Sequence, residues 1–214
     1  MMNETELRKE IIRTALDMRT GGLVQGTGGN FSVRCAEGFI ITPSGMDYAL
    51  LEPEDLPKLS LDCTVIEGRR TPSVESALHA AVYRRRPDVN AVAHTHSLYA
   101  TAASALRAPL PCLTDNQAVM FGGDVPAAPH APIGTPELAE NVSRALAEGA
   151  AVLMANHGAL CVGRDLRQAA ERCRMLEIFA KIFFTASSAG GWTALSGEEA
   201  AKEAADIAAR YGQK

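Results

Sequence analysis

The amino-acid sequence predicts an α/β fold, and three observations carry that prediction. Stretches with apolar residues at helical spacing alternate along the chain with short apolar runs bounded by turn residues. The 214 residues, 47% hydrophobic and 21% charged, suffice for a substantial core and are expected to form a single domain over 1–214. No internal repeat or low-complexity segment interrupts the alternation.

The elements follow in order. Residues 4–19 carry Leu7, Ile11, Ile12, Ala15, Leu16 and Met18 on one stripe, a first amphipathic helix that Gly21-Gly22 stops. A glycine-rich loop, Gln25 to Asn30, leads into strand 31–35, a turn at Glu37-Gly38 and strand 39–42. A short strand pair is expected within 59–66, with Glu67-Gly68 as turn. Thr71-Pro72 reads as cap and first residue of a helix carrying Ala77, Leu78, Ala81 and Val82 inward. Residues 90–97 form a buried strand, and 98–106 a helix. Six prolines between Pro109 and Pro136 predict ordered loop and short strand. Thr135-Pro136 opens a helix to Glu148; 151–154 and 159–162 are strands joined through Asn156-His157-Gly158. Asp165 caps a helix running past Phe184, and Ser196 caps a last one ending near Tyr211.

Composition removes several classes of function. With 21 Lys+Arg against 25 Asp+Glu, the net charge of −4 gives no basic face for nucleic acid. Arg84 to Arg86 read as a helix end, where cations favour the macrodipole. No apolar run approaches the roughly 18 residues of a membrane span, and no basic segment precedes an apolar stretch at the N-terminus. Five scattered cysteines without a CxxC pair fit reduced thiols, so a cytoplasmic protein is expected.

Chemistry concentrates around His94-Thr95-His96. Alternate residues of a strand share a face, so the two imidazoles suit one metal ion, with Glu75 and His157 the candidates to complete it. Two strand histidines serve equally well as hydrogen-bonded core residues. The glycine loop has no preceding strand and no following helix, which rules out a dinucleotide fingerprint. Its N–H groups could face an anion, with Thr27 and Asn30 as side-chain donors, or it could be a tight connection only. Pro43-Ser44-Gly45-Met46 offers further donors, and Ser73 and Glu75 lie in a first helical turn, where anions are favoured. A bland role for Glu75 is stabilisation of that turn. His79 and His130 have no evident partners.

Taken together, Gln25-Gly26-Thr27-Gly28-Gly29-Asn30-Phe31-Ser32, Ile41-Thr42-Pro43-Ser44-Gly45, Pro72-Ser73-Val74-Glu75, His94-Thr95-His96, Pro132-Ile133-Gly134-Thr135 and Asn156-His157-Gly158 resemble the class II aldolase and adducin head domain family. The likeness runs from the first helix to about Ile182, and the motifs stand nearest to the fuculose 1-phosphate aldolases in that family. It implies a three-layer α/β/α sandwich around a mainly antiparallel sheet, assembled as a homotetramer with active sites at subunit interfaces. His94, His96 and His157 would bind a divalent metal, with Glu75 as fourth ligand or catalytic base. Zinc suits that set, and manganese or cobalt would also be accepted. Thr27, Gly29, Asn30, Ser44, Gly45 and Ser73 would receive the phosphate of a 1-phosphorylated ketose, such as a fuculose or a 5-deoxy or 5-methylthio ribulose 1-phosphate. Cleavage would give dihydroxyacetone phosphate and an aldehyde.

Two departures bear on mechanism. Val74 stands where those aldolases carry a second serine, which removes one hydroxyl donor. Asp115 falls near the place of a catalytic tyrosine, while Tyr211 resembles a second tyrosine of the family's tail; these two are the candidates for proton transfer at the aldehyde. The same scaffold also carries methylthioribulose-1-phosphate dehydratases, epimerases and decarboxylases. A non-catalytic, adducin-like binding module is the alternative from another class, and it has no need of the complete histidine set present here.

Overall fold

The computed structural model describes residues 3–210. The first helix, α1 (Glu4–Thr20), is capped by Asn3, whose side-chain oxygen accepts the Glu6 N–H at 2.9 Å. Strands β1 (Asn30–Cys35) and β2 (Gly38–Ile41) form the expected antiparallel hairpin. After two single turns of 3-10 helix come β3 (Lys58–Leu59) and β4 (Val65–Glu67), then α2 (Ser76–Arg85), β5 (Ala91–Thr95) and α3 (Leu98–Ser104). The remainder is α4 (Asp115–Phe121), β6 (Ala127–Ala128), α5 (Pro136–Leu146), β7 (Ala151–Met154), β8 (Gly158–Gly163), α6 (Leu166–Ser188) and α7 (Gly197–Arg210).

All eight strands join one sheet in the order β4-β3-β2-β1-β5-β8-β7-β6, antiparallel at every pairing except β6 with β7. Strand alternation divides its apolar residues between two cores. Phe31, Val33, Ala91, Ala93, Ala159 and Cys161 pack against α1, α3 and α6 on one side. Phe39, Ile41, Val92, Leu160 and Val162 pack against α2 and α5 on the other. The three layers expected from the family resemblance are therefore present. His94 follows Val92 by two residues, so it faces the α2 side, and this brings it towards Glu75.

The structure departs from the sequence reading at three elements. The β3–β4 connection is residues 60–64, with Cys63 at φ 68° and the Ser60 N–H on the Thr64 carbonyl, so Glu67 closes a strand and is no turn residue. Helix α2 begins a turn later than Thr71-Pro72 suggests. Residues 71–73 are instead extended against the end of β2, with the Ser44 N–H on the Thr71 carbonyl and the Ser73 N–H on that of Thr42. Glu75 consequently occupies the position before the helix. Third, the proline-dense segment contains α4, capped by Thr114 and ended by Gly122 at φ 80°. Seven residues are too few for a periodic signal, and the flanking prolines masked the two caps.

Candidate metal centre

Pairing of β5 with β8 sets His94 opposite Leu160 and Thr95 opposite Ala159, which puts the β7–β8 turn beside the end of β5. Asn156, at φ 56°, makes that turn, and its side-chain oxygen accepts from Arg107 Nε at 2.6 Å. His157 thereby meets the two histidines of β5. Ring centroids lie 4.6 Å apart for His94 and His96, 4.8 Å for His94 and His157, and 5.1 Å for His96 and His157. One nitrogen from each ring falls within 4.8 Å of the others.

Glycines allow this crowding. A Cβ on Gly29, which stands at φ 71°, would lie 2.6 Å from the His94 carbonyl oxygen, and one on Gly28 would lie 3.1 Å from His96 Nδ1. Two residues of the glycine-rich loop are thus needed to pack the histidine strand, a reason the sequence did not disclose.

The donors fit a metal ion. His94 Nδ1 donates to the Ala159 carbonyl at 2.9 Å, which fixes the ring with Nε2 turned towards the other histidines. His94 Nε2 and His96 Nε2 approach to 2.8 Å. Burial, followed by the charge of His94, lowers the ring pKa of both His96 and His157 to about 4, so both offer lone pairs at neutral pH. Glu75 Oε1 and His157 Nδ1 are buried with no hydrogen-bond partner among the described residues. Orphan atoms beside two rings held neutral are the pattern of a cation site, since otherwise they would carry a desolvation cost of about 1–3 kcal/mol each.

Glu75 is buried, with Oε2 3.2 Å from His94 Nε2 and Oε1 3.7 Å from His157 Nε2. Burial raises its pKa, but His94 and the Asn30 amide outweigh that and hold the carboxyl below the ordinary range. Asn30 Nδ2 donates to Glu75 Oε2 at 2.8 Å, while Asn30 Oδ1 meets His79 Nε2 at 2.5 Å. This geometry engages Oδ1 and one Nδ2–H of Asn30, expected as a phosphate donor, inside the protein. It corrects the expectation for His79, which is fully buried and partnered on both nitrogens. Both roles were legible in principle, because Asn30 and Ser32 at strand spacing face Glu75, His79 and Tyr83 at helix spacing.

The remaining phosphate candidates lie on three segments. Thr27 and Gly29 precede β1, Ser44 and Gly45 follow β2, and Ser73 lies on the segment bridged to Pro43. Tyr48, unremarked in the sequence, ties these loops together by hydroxyl contacts to the Gly28 and Gly29 carbonyls at 3.1 and 2.7 Å. The Ser44 N–H is taken by Thr71, so this residue can offer its hydroxyl only. Ser73 Oγ accepts the Glu75 N–H at 3.3 Å and keeps its own proton to donate. Asp115 is exposed at the start of α4, and among the described residues it makes no hydrogen bond or ion pair with Glu75 or the three histidines. Tyr211 lies outside the described residues.

A groove of about 570 Å³ opens at the far end of β1 between Leu7, Val33, Cys35 and Leu166 and includes none of these groups. No helix among the described residues is long and apolar enough to cross a membrane.

Comparisons with known proteins agree with this geometry. Residues 9–184 match the family described as the class II aldolase and adducin N-terminal domain. The L-fuculose phosphate aldolase of Escherichia coli O6:H1 (strain CFT073) is 38% identical over 184 residues, covering 86% of this chain and 85% of that protein. The 5-deoxy-D-ribulose 1-phosphate aldolase of Bacillus thuringiensis serovar kurstaki (strain HD73) is 38% identical over 186 residues, 86% of each. A solved structure described as L-fuculose 1-phosphate aldolase superposes with a TM-score of 0.91 at 35% identity, over 95% of this chain and 96% of that one. The chain thus belongs to the class II aldolase and adducin N-terminal domain family, and within it is a metal-dependent class II aldolase, a carbon–carbon lyase.

Proposed function

We propose that the protein cleaves a 1-phosphorylated ketose of the fuculose 1-phosphate kind, including 5-deoxy and 5-methylthio ribulose 1-phosphates, to dihydroxyacetone phosphate and an aldehyde. The observation that carries this reading is the meeting of a three-histidine cluster and a buried carboxylate with the glycine-rich loop. The names of two relatives, acting on fuculose and deoxyribulose phosphates, point to the same substrate class.

His94, His96 and His157 would hold the metal, and zinc is proposed because three imidazoles with a nearby carboxylate suit its ligand preferences. When bound, the metal supplies positive charge beside the negative charge that develops as the carbon–carbon bond breaks. Glu75 handles the proton. In condensation its ionised carboxylate takes the proton from the carbon next to the ketone, and in cleavage the same oxygen returns it. Asn30 already occupies Oε2, so Oε1 is the oxygen assigned to this exchange. The phosphate is received by Thr27, Gly29, Ser44, Gly45 and Ser73.

At the aldehyde oxygen the proton passes through Asp115 or Tyr211. Asp115 does not join the cluster among the described residues, and the reading therefore includes a homotetramer whose active sites lie between copies. A cytoplasmic location fits the free thiols of Cys35, Cys63, Cys112, Cys161 and Cys173. The test is to incubate zinc-loaded protein with a panel of ketose 1-phosphates and assay dihydroxyacetone phosphate. Release from one or more deoxy sugars is expected; no release from any would end the proposal.

A further inference from the structure

Behind Glu75, strand β1 and helix α2 run side by side with matched spacing. Asn30, Ser32 and Arg34 recur every second residue of a strand, about 6.6 Å apart, and Glu75, just before α2, with His79 and Tyr83 within it recur every fourth position, about 6 Å apart. The side chains accordingly pair in series. Asn30 contacts Glu75 at 2.8 Å and His79 at 2.5 Å; Ser32 Oγ meets His79 Nδ1 at 2.6 Å and the Tyr83 hydroxyl at 2.8 Å. Arg34 closes the series, 4.7 Å from the Tyr83 ring centroid, while bonding the Tyr83, Arg86 and Val89 carbonyls at the end of α2. Ser32 and His79 are completely inaccessible and Tyr83 nearly so.

The direction of every bond in this series is determined. An ionised carboxylate can only accept, so Asn30 must present its NH2 to Glu75 and its oxygen to His79. His79 must then carry its proton on Nε2, which makes Nδ1 an acceptor for the Ser32 hydroxyl. Ser32, having given its proton, accepts from Tyr83. Burial keeps the Tyr83 phenol protonated and drives the His79 pKa down to about 3, so both groups hold the protonation state that the series requires. No polar side-chain atom of Asn30, Ser32, His79 or Tyr83 is left without a partner.

We infer that Tyr83, Ser32, His79 and Asn30 form a one-way hydrogen-bond chain that locks the Asn30 amide and so aims Glu75, which makes His79 a positioning residue for the aldolase reaction. A lone asparagine beside a carboxylate could rotate its amide and present oxygen to oxygen. His79 Nε2–H forbids that rotation, so one carboxylate oxygen of Glu75 always faces the amide donor and the other is left towards the histidines. The inference rests on the proton-carrying role of Glu75 proposed above, but the state of the chain can be read without turnover.

The first measurement is the His79 tautomer, by nitrogen NMR on zinc-loaded, histidine-labelled wild-type protein. The Nε2–H tautomer with an unprotonated Nδ1 is expected; an Nδ1–H tautomer would reverse the series and overturn the proposal, whatever the substrate proves to be. The second compares His79→Leu with His79→Gln on one active ketose phosphate. The leucine variant should keep its metal and its KM while kcat falls by about 10- to 100-fold, as for other outer-shell partners, and the glutamine variant, which can still donate to Asn30, should recover most of the loss. Unchanged kcat in His79→Leu, or equal loss in both variants, overturns it. If His79→Leu does not fold, Ser32→Ala removes a single oxygen from the same series and should lower kcat in the same direction; full activity there counts against the chain.

Discussion

Gly158 lies against His96 so closely that a Cβ placed on it would stand 2.9 Å from the ring Cδ2 and 2.5 Å from the Thr95 carbonyl oxygen. The carbonyl is backbone in the central strand pair and has little room to yield. Gly158→Ala should therefore displace His96 or part β5 from β8, at the roughly 1–3 kcal/mol of an overpacked core. The expected outcome is weaker zinc binding together with a lower melting temperature. Isothermal titration showing wild-type zinc affinity in Gly158→Ala would mean that the turn adapts and that the close approach has no bearing on the metal.

Glu75 and the histidines are expected to separate in their effects. Purified protein should hold about one divalent ion per chain, as a single three-histidine cluster implies. His94→Ala should lose the ion without unfolding, whereas Glu75→Gln should abolish cleavage and retain some metal, since the imidazoles remain. Elemental analysis with a cleavage assay on both variants checks this. Full metal occupancy in a His94/His96 double alanine variant would disprove the ligand assignment.

Thr27 is exposed on the glycine-rich loop that leads into β1. Loss of a hydroxyl that bonds a charged phosphate costs roughly 1.5–3 kcal/mol, which is about 10- to 100-fold in affinity. Thr27→Val should raise KM by that factor with little change in kcat. Unaltered kinetics would leave the loop with its packing role alone, the role that Gly28 and Gly29 already fill.

Neutral, buried imidazoles couple folding to pH. The folded-state pKa is about 3 for His79 and about 4 for His96 and His157, against about 6.5 in an unfolded chain. Between those values the unfolded chain binds protons that the folded one refuses. The contribution of these groups is complete above about pH 6.5 and is lost as pH falls towards 4, and for His79 towards 3. Urea midpoints of metal-free protein should decline steadily below about pH 6.5, and zinc should offset the decline because it binds the neutral rings. A midpoint that stays level from pH 7 to 5 would contradict the burial argument.

Much of the fold was legible in the sequence because its longer elements carry their own periodicity. The stripe on α1, the Thr135-Pro136 start of α5 and the Asp165 cap of α6 all recur in the structure. Short elements were decided by tertiary partners instead. Residues 71–73 carry a helix-start pattern, yet they pair with the end of β2 because that strand's last groups need partners. The histidine cluster followed from strand spacing and a family pattern. Asn30 was legible as important but not in its inward contacts, since a donor in a glycine-rich loop suggests an anion until the helix opposite it is placed. His79 and Tyr83 gave no local signal, because their significance lies in matching two periodicities across two elements.

Asp115 and Tyr211 raise the question of which chain completes a site. Asp115 is exposed at the first position of α4, and α4 is braced by α7 through Cys112, Ala118, Leu195 and Ala200. Tyr211 follows Arg210, the last residue of α7, in sequence and lies outside the described residues, while Asp115 makes no hydrogen bond or ion pair with its own chain's histidines among the described residues. A neighbouring copy is the expected recipient. Asp115→Asn should slow turnover by the roughly 10²–10⁴-fold of a lost general acid or base, while Tyr211→Phe should act mainly on which aldehydes are accepted. Co-expression of His94→Ala with Asp115→Asn then tests the sharing directly. If each site combines histidines from one chain with Asp115 from another, random assembly regenerates intact sites in about one quarter of cases, and activity should return to that level in a closed oligomer. If Asp115 serves its own chain, no mixed assembly contains an intact site and activity stays at the level of the single variants. A fully active Asp115→Asn enzyme would remove Asp115 from the reaction and leave Tyr211 as the proton donor.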